Sequence, residues 1–299
     1  MTLAWSGLME QHSSTIAISV IIPCRNAASV IANQLEALSR QKCGRSWEVI
    51  IVDNNSTDMT KAVAERFRGR LPGLRIIDAR EKYGAAYARN VGVRAALGEN
   101  VAFCDADDEV GDRWLAAVDA ALSNHEAIAF RIDTEKLNGP RPPRRVGQSE
   151  GLQEYTYPPY LPYSGGTIAL RRHLHQKLGG FDESMLACED ADFSWRLQHS
   201  GVKLRFIPDA VVHVRLRSTM RDMCRQAFLW GEYNVVLYKK FRPLGMPPLQ
   251  RLRGLRNLLG VFRRVPDLVN ARKRRGWLWE ASWAAGRVIG SIKYRVWAL

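Results

Sequence analysis

The chain has no run of about 18 apolar residues, the length a bilayer-crossing helix needs. Its longest apolar stretch, Ile16 to Cys24, is short and contains Ser19. No basic residue precedes Arg25, so the N-terminus lacks the charged start of a secretory signal. The five cysteines, at 24, 43, 104, 188 and 224, are odd in number and form no C-x-x-C pair. That pattern predicts reduced thiols and a cytoplasmic protein. No G-x-G-x-x-G follows the first apolar strand and no G-x-x-x-x-G-K-[ST] occurs anywhere, which removes the usual dinucleotide and P-loop readings. There is no internal repeat.

What is present is ordinary bulk and unusual charge. Apolar residues make up 46% and charged residues 25% of 299 positions, enough for one large or two small domains. The net charge is +14. Residues 211–299 hold 19 Lys and Arg against 4 Asp and Glu, whereas residues 1–210 hold 25 against 26. That step marks a boundary between a neutral body and a basic C-terminal region. Basic excess calls for an acidic partner, and nucleic acid and an anionic membrane surface are the two candidates. The charge lies outside the body and no RNA- or DNA-binding motif is present, so no nucleic acid is expected.

Along the body, short apolar runs alternate with helical periodicity. Strands are predicted over 16–23, 47–52, 74–78 and 100–104, and helices over 29–40 (capped by Asn26), 58–68, 87–97 and 112–123. Alternation of this kind predicts an α/β fold, a mainly parallel sheet with helices on both faces. Ligands of such sheets bind beyond the carboxyl ends of the strands, where Pro23–Asn26, Asp53–Ser56 and Asp105–Asp108 all fall. Residues 1–15 read as a loose arm. From Asp133 to Pro162 the pattern dissolves: six of the 13 prolines lie there. Tyr155, Tyr157, Tyr160 and Tyr163 in or beside this segment either stack on a bound ring or anchor the loop.

Val101–Val110 is the most informative stretch. A buried strand runs into Asp105, Asp107 and Asp108 with only Ala106 among them. Three carboxylates so close repel one another and need a positive counterpart. Hard oxygen donors suit Mg²⁺ or Mn²⁺, which commonly bring phosphates with them. The structural alternative is a solvated acidic turn before a helix. Asp53 has a similar duality, accepting from a nucleoside or closing an Asx-turn. A second cluster holds Gly165, Gly166, Gly179 and Gly180, then Glu189, Asp190 and Asp192 ahead of Phe193 and Leu197. Carboxylates at a helix start offset its dipole, and one of them is also well placed as a general base. His213 lies in a short strand predicted over 210–214, either as a core residue or as a metal ligand.

Taken in order, SVIIPCRN, EVIIVDNNSTD, YARNVG, FCDADDE and GGFDE…CEDADFSWRL resemble the family 2 glycosyltransferases of the GT-A fold, from about Ile18 to His213. The resemblance implies inverting transfer of a sugar from a nucleotide diphosphate sugar, a UDP-sugar foremost, to a glycan or lipid-linked acceptor. By matching positions it implies nucleotide-sugar contacts at Pro23, Arg25, Asp53, Arg89 and Asp105. It implies a Mn²⁺ or Mg²⁺ site at Asp105, Asp107 and His213. Asp190 matches the catalytic base, with Glu189 beside it. Gly165, Gly166 and Tyr163 are acceptor-side candidates. The catalytic domain is then expected over 16–214, divided into a nucleotide-sugar half (16–132) and an acceptor half (133–214), with a basic amphipathic helical region over 215–299. A nucleotidyltransferase on a similar sheet is the alternative enzyme.

The basic region is read from its residues alone. Thr219-x-x-Asp222 resembles a capping box opening a helix to about Phe241. Between Leu249 and Val265, Leu252, Leu255, Leu258, Leu259 and Phe262 share one side, and Arg253, Arg256, Arg263 and Arg264 the other. Such a helix suits an anionic membrane surface and places the protein peripherally on the inner face of the cell membrane. Residues 277–299 carry four of the nine tryptophans and are expected at the same interface; a packed helical subdomain is the alternative.

Overall fold

A computed structural model describes residues 15–139 and 148–298. The predicted loose arm lies almost wholly outside these residues, as do the prolines at 140, 142 and 143. The first half runs β1 (Ile18–Cys24), α1 (Ile31–Ser39), β2 (Trp47–Asp53), α2 (Thr60–Glu65), β3 (Arg75–Asp78), α3 (Ala85–Ala95) and β4 (Asn100–Phe103). Then follow β5 (Glu109–Val110), α4 (Trp114–Asn124), β6 (Ala127–Asp133), α5 (Glu135–Asn138), β7 (Ile168–Arg171), α6 (Arg172–Lys177), α7 (Glu189–His199) and β8 (Leu204–His213). The C-terminal helices are α8 (Met220–Phe241), α9 (Arg251–Arg263) and α10 (Ala271–Lys293).

Among the described residues the eight strands form one sheet in the order β3-β2-β1-β4-β7-β6-β8-β5. The β3-β2-β1-β4 half is parallel throughout, as the alternating pattern requires. The other half is mixed: β7 runs antiparallel to both its neighbours and β5 antiparallel to β8. Pairing with a residue far ahead in the chain sets these directions, and periodicity alone does not carry that information.

Alternate side chains of each strand enter opposite cores. Val20, Ile22, Val49 and Ile51 pack with α1, α2 and α4, around Ile31, Leu35 and Trp114. Ile21, Ile50, Val52 and Phe103 pack with α3, α6 and α7, around Val93, Phe193 and Leu197. Trp114 is fully buried and edge-on to Phe130 at 5.3 Å, so truncating it to alanine is worth about 3–5 kcal/mol.

Two local expectations change. Asn26 does not cap α1: it sits at φ 50°, and its Oδ1 accepts from the Thr57 N–H at 2.8 Å, clamping the loops after β1 and β2 together. The strand at 210–214 belongs to the longer β8, which contains Pro208. The β6–β8 register shifts between Phe130 and Arg131, and that bulge accommodates a residue with no N–H to donate.

The predicted capping box is present, with Thr219 Oγ1 accepting from the Asp222 N–H at 3.1 Å. α8 packs on α7 through Tyr233, Leu237 and Phe241 against Trp195. α10 then lies backbone-close on α8. A Cβ on Gly231 would stand 2.1 Å from the Trp283 carbonyl oxygen, so only glycine permits the contact. This packing changes the expected membrane role of the tryptophans. Trp279 is edge-on to Trp230 at 5.6 Å and Trp277 donates to the Val261 carbonyl at 2.9 Å, leaving Trp297 exposed. Among the described residues no helix is long and apolar enough to cross a membrane.

Candidate active site

The ends of β1, β2 and β3 lie side by side, with Cys24 opposite Asp53 and Asp53 opposite Asp78. Pro23 is still within β1, opposite Val52. Arg25 emerges exposed beyond it, with its guanidinium 4.3 Å from the Tyr83 ring centroid. Asp53 is buried, and its Asx-turn is present: Oδ2 accepts from the Ser56 N–H at 3.2 Å, and Lys61 stands 3.7 Å away. Its Oδ1 is buried with no hydrogen-bond partner among the described residues.

Asn54 and Asn90 hold the walls. Asn54 donates to the Ala79 and Lys82 carbonyls at 2.6 and 2.7 Å, shaping the loop that leads to α3. Asn90 donates to the Phe181 carbonyl and accepts from its N–H, both at 2.9 Å. The YARN and GGFD segments are thereby joined.

Beyond β4 the acidic turn meets cations supplied by distant elements. Arg89, from α3, is buried and donates to Asp105 at 2.9 Å and to Glu189 at 2.6 Å. Burial works against its charge, yet Asp105 and Glu189 outweigh that and raise its pKa. One guanidinium therefore links the two acidic clusters that the sequence separates by more than eighty residues. Asp107 accepts from Arg217 at 2.9 Å. Burial, then Asp105, nevertheless push its carboxyl above the usual range. Asp108 is buried and accepts from the Arg215 N–H at 3.1 Å; burial and its two acidic neighbours push it well above the usual range.

His213 sits opposite Glu109 in the β5–β8 pair, and its Nδ1 is 2.5 Å from Asp133 Oδ2. The implied metal set is not assembled as a group: among the described residues no three His, Cys, Asp or Glu side chains are gathered to hold an ion. The physical reason is visible in the partners, since Arg89, Arg217 and Asp133 take the near groups of Asp105, Asp107 and His213.

At the start of α7 the three acids separate by role. Asp192 is fully buried and ion-paired with Arg196 at 2.8 Å and Lys240 at 2.5 Å, which makes it structural. Glu189 is held by Arg89. Asp190 accepts from the Ala191 N–H at 2.8 Å and, among the described residues, makes no ion pair. Burial, then Glu189, raise its pKa to about 7, against the pull of Arg89.

The acceptor-side candidates divide. Gly166 has φ +81° and packs against Arg89, 3.6 Å from Nη2 to a built Cβ, so it borders the ion-paired centre. Gly165 is pressed onto Gln153. Tyr155, Tyr160 and Tyr163 surround Trp195 edge-on at 4.8, 5.0 and 6.3 Å. They anchor the loop to α7, and Tyr163 is a packing residue in this structure. Arg215, Arg217 and Asp133 are the site residues that sequence reasoning missed. Their only signal was a pair of arginines directly after His213, read as part of the basic tail.

A model of the family described as glycosyl transferase family 2 matches residues 19–179, and one described as glycosyl transferase family group 2 matches residues 150–292. The second match carries the likeness past His213, where sequence motifs alone had ended it, through α8 and α9 and most of α10. A pre-mycofactocin glycosyltransferase of Mycobacterium tuberculosis is 30% identical over 232 residues, covering 72% of this chain and 46% of that protein. The chain thus spans about half the length of that relative. The amylovoran biosynthesis glycosyltransferase AmsB of Erwinia amylovora is 29% identical over 213 residues, covering 67% of this chain and 70% of that one. Among solved structures, mannosyltransferase PcManGT of Pyrobaculum calidifontis, in complex with GDP-Man and Mn²⁺, aligns with TM-score 0.62 at 22% identity, covering 91% of this chain and 86% of its own. TarS 1–349 of S. aureus, in complex with UDP, aligns with TM-score 0.54 at 20% identity, covering 94% and 91%. A family model spanning more than half of the chain, on a sheet shared with these structures, establishes that the chain belongs to glycosyl transferase family 2 and has the GT-A fold.

Proposed function

We propose that this protein moves a sugar from a nucleotide diphosphate sugar to a hydroxyl of a glycan or lipid-linked acceptor, inverting the anomeric centre in a single displacement. A UDP-sugar is the proposed donor. The nucleoside end is assigned to Pro23, Arg25 and Asp53, whose buried Oδ1 has no other partner among the described residues. Arg89 holds Asp105, the further proposed donor contact, at 2.9 Å. The donors bound in the structural neighbours, UDP and GDP-Man, support a nucleotide-linked substrate.

The proposed cation is Mn²⁺ or Mg²⁺, which would have to draw Asp105 and Asp107 away from Arg89 and Arg217. The Asp105–Asp108 turn brings three carboxylates together within four residues. Its donors are the hard oxygens such ions prefer. Asp105 and Asp107 would hold the ion. His213 would join them through the ring nitrogen opposite Asp133, an arrangement in which a carboxylate fixes the ligand's tautomer. When bound, the ion supplies stabilisation of charge on the departing diphosphate.

The observation that carries the reading is Asp190. It is the one acid at the head of α7 left without an ion pair among the described residues, its pKa is raised to about 7, and Glu189 and Arg89 connect it to the donor-side turn. A carboxylate so placed accepts the acceptor hydroxyl's proton as the new bond forms. The test is Asp190→Asn. Transfer is expected to fall about 10²–10⁴-fold while UDP affinity is retained. The sign of the wild-type pH profile follows from the raised pKa: the base form exists above about 7, so kcat falls as pH drops through that value. A variant with near-wild-type transfer and an unchanged acid limb would refute the assignment.

The same proposal places the protein peripherally on an anionic membrane at the inner face of the cell, with the outer side of α9 as the contact. Leu255, Leu259 and Phe262 stand 49%, 46% and 71% exposed there. Arg263, exposed beside Phe262, supplies charge complementary to anionic lipid.

A further inference from the structure

The two sides of α9 do different things. Its outer side bears the exposed apolar residues; its inner side, together with α10 and the Tyr157 loop, lines a solvent-open cavity of about 320 Å³. At about 30 Å³ per water-sized group, that is room for a head group and several chain carbons. Arg256, Arg264 and Arg287 line it, while Glu280 is the acid on its wall and is already paired with Arg264.

Arg287 is the decisive residue. It is 2% exposed, and its guanidinium lies between the rings of Trp283 and Tyr157, 4.8 and 5.0 Å from their centroids. It donates to the Ala298 carbonyl at 2.8 Å and to Asn234 Oδ1 at 2.5 Å, and among the described residues it forms no ion pair. Among the described residues this buried guanidinium is held only by neutral acceptors, Nε and Nη2 on Ala298 and Nη1 on Asn234, and meets no carboxylate. Two aromatic faces soften the cost of that burial without cancelling it. A guanidinium fork recognises phosphate oxygens in particular, and the apolar remainder of the lining suits hydrocarbon.

We propose that this cavity binds an anionic amphiphile with a phosphate head, a phospholipid-type molecule drawn from the membrane on which α9 rests. The phosphate lies toward Arg287 and Arg256, and the chain leaves along the apolar lining. The proposal deepens the membrane reading above and rests on it. The cavity also connects to the catalytic body: Asn234, which accepts from Arg287, donates to the Tyr155 hydroxyl, and Tyr155 packs on Trp195 of α7. A filled cavity therefore braces the helix that begins with Glu189 and Asp190.

The test uses the full chain, titrated calorimetrically with dihexanoyl phosphatidic acid below its micelle concentration and, separately, with inorganic phosphate. Two variants accompany the wild type. Gly260→Leu enters the cavity from α9, where a built Cβ meets nothing within 4 Å, and it leaves every charge in place. Arg287→Gln removes the buried charge. The wild type is expected to bind one amphiphile per chain, and inorganic phosphate at least about tenfold more weakly, because the chain carbons contribute apolar burial. Both variants are expected to lose at least about tenfold in amphiphile affinity. Equal affinity of wild type and Gly260→Leu would overturn the proposal, as would phosphate binding as tightly as the amphiphile. UDP titrated into the same samples keeps the two readings apart. UDP binding without amphiphile binding defeats only the cavity, and amphiphile binding without UDP binding defeats only the UDP-sugar assignment.

Discussion

In the parallel half of the sheet, Val49 to Val52 are sealed completely from solvent, whereas on α9 Leu255, Leu259 and Phe262 stand in it. The contrast extends to charge. The sheet half gathers its acids at the strand ends and meets them with single, well-placed guanidiniums such as Arg89. The helical region instead scatters cations over surfaces with few acids to receive them. The sheet half buries its apolar residues, whereas α9 leaves several of its own in solvent. Exposed apolar side chains gathered beside basic ones are the feature on which the proposed membrane contact rests.

The largest way to break this comparison is at Arg89. If its ion pairs close the catalytic half internally, Arg89→Met leaves Asp105 and Glu189 facing each other without their shared cation. Stability should fall by about 3 kcal/mol, read by chemical denaturation, mostly from Glu189, because Asp105 is 43% exposed and water screens it. A variant as stable as wild type would mean that the two acidic clusters are solvated separately.

The next tests the other side of the contrast. Replacing Leu255, Leu259 and Phe262 together with serine should leave the fold intact, since all three are exposed, and should weaken binding to anionic vesicles more than 10²-fold. Each buried side chain is worth about 1.5–3 kcal/mol. Residual binding should then vanish in high salt, because only the screened electrostatic part remains. Flotation of the triple variant in high salt at wild-type levels would show that the apolar side of α9 is not the contact.

The smallest expected effect sharpens the boundary where the two regions meet. Arg217 reaches from the basic segment to Asp107, and Arg275 of α10 donates to the Arg217 carbonyl at 2.9 Å. Arg217→Ala frees Asp107 from a competing cation, so Mn²⁺ should bind a few-fold more tightly, a partly exposed pair being worth about 0.2–1 kcal/mol. Unchanged Mn²⁺ affinity by paramagnetic resonance would show that the guanidinium does not compete for that carboxylate.

Much of this was legible in the sequence because it is local. The strand–helix alternation, the acidic turn after β4, the Thr219–Asp222 cap and the two-sided pattern of α9 each rest on residues a few positions apart, where period and propensity act directly. What the tertiary structure alone decided is long-range. The sequence singled out Asp190 with Glu189 and Asp192 as neighbours, but only the arrival of Arg89, Arg196 and Lys240 showed which two are ion-paired among the described residues. Asn26 read as a helix cap until the adjacent loop presented the Thr57 N–H to it. The tyrosines were ambiguous until Trp195 filled the space between them. The mixed half of the sheet and the buried charge of Arg287 left no periodic signature at all. A partner a hundred residues away changes neither the spacing of apolar residues nor the local backbone preference, so such pairings exist only once the chain has closed on itself.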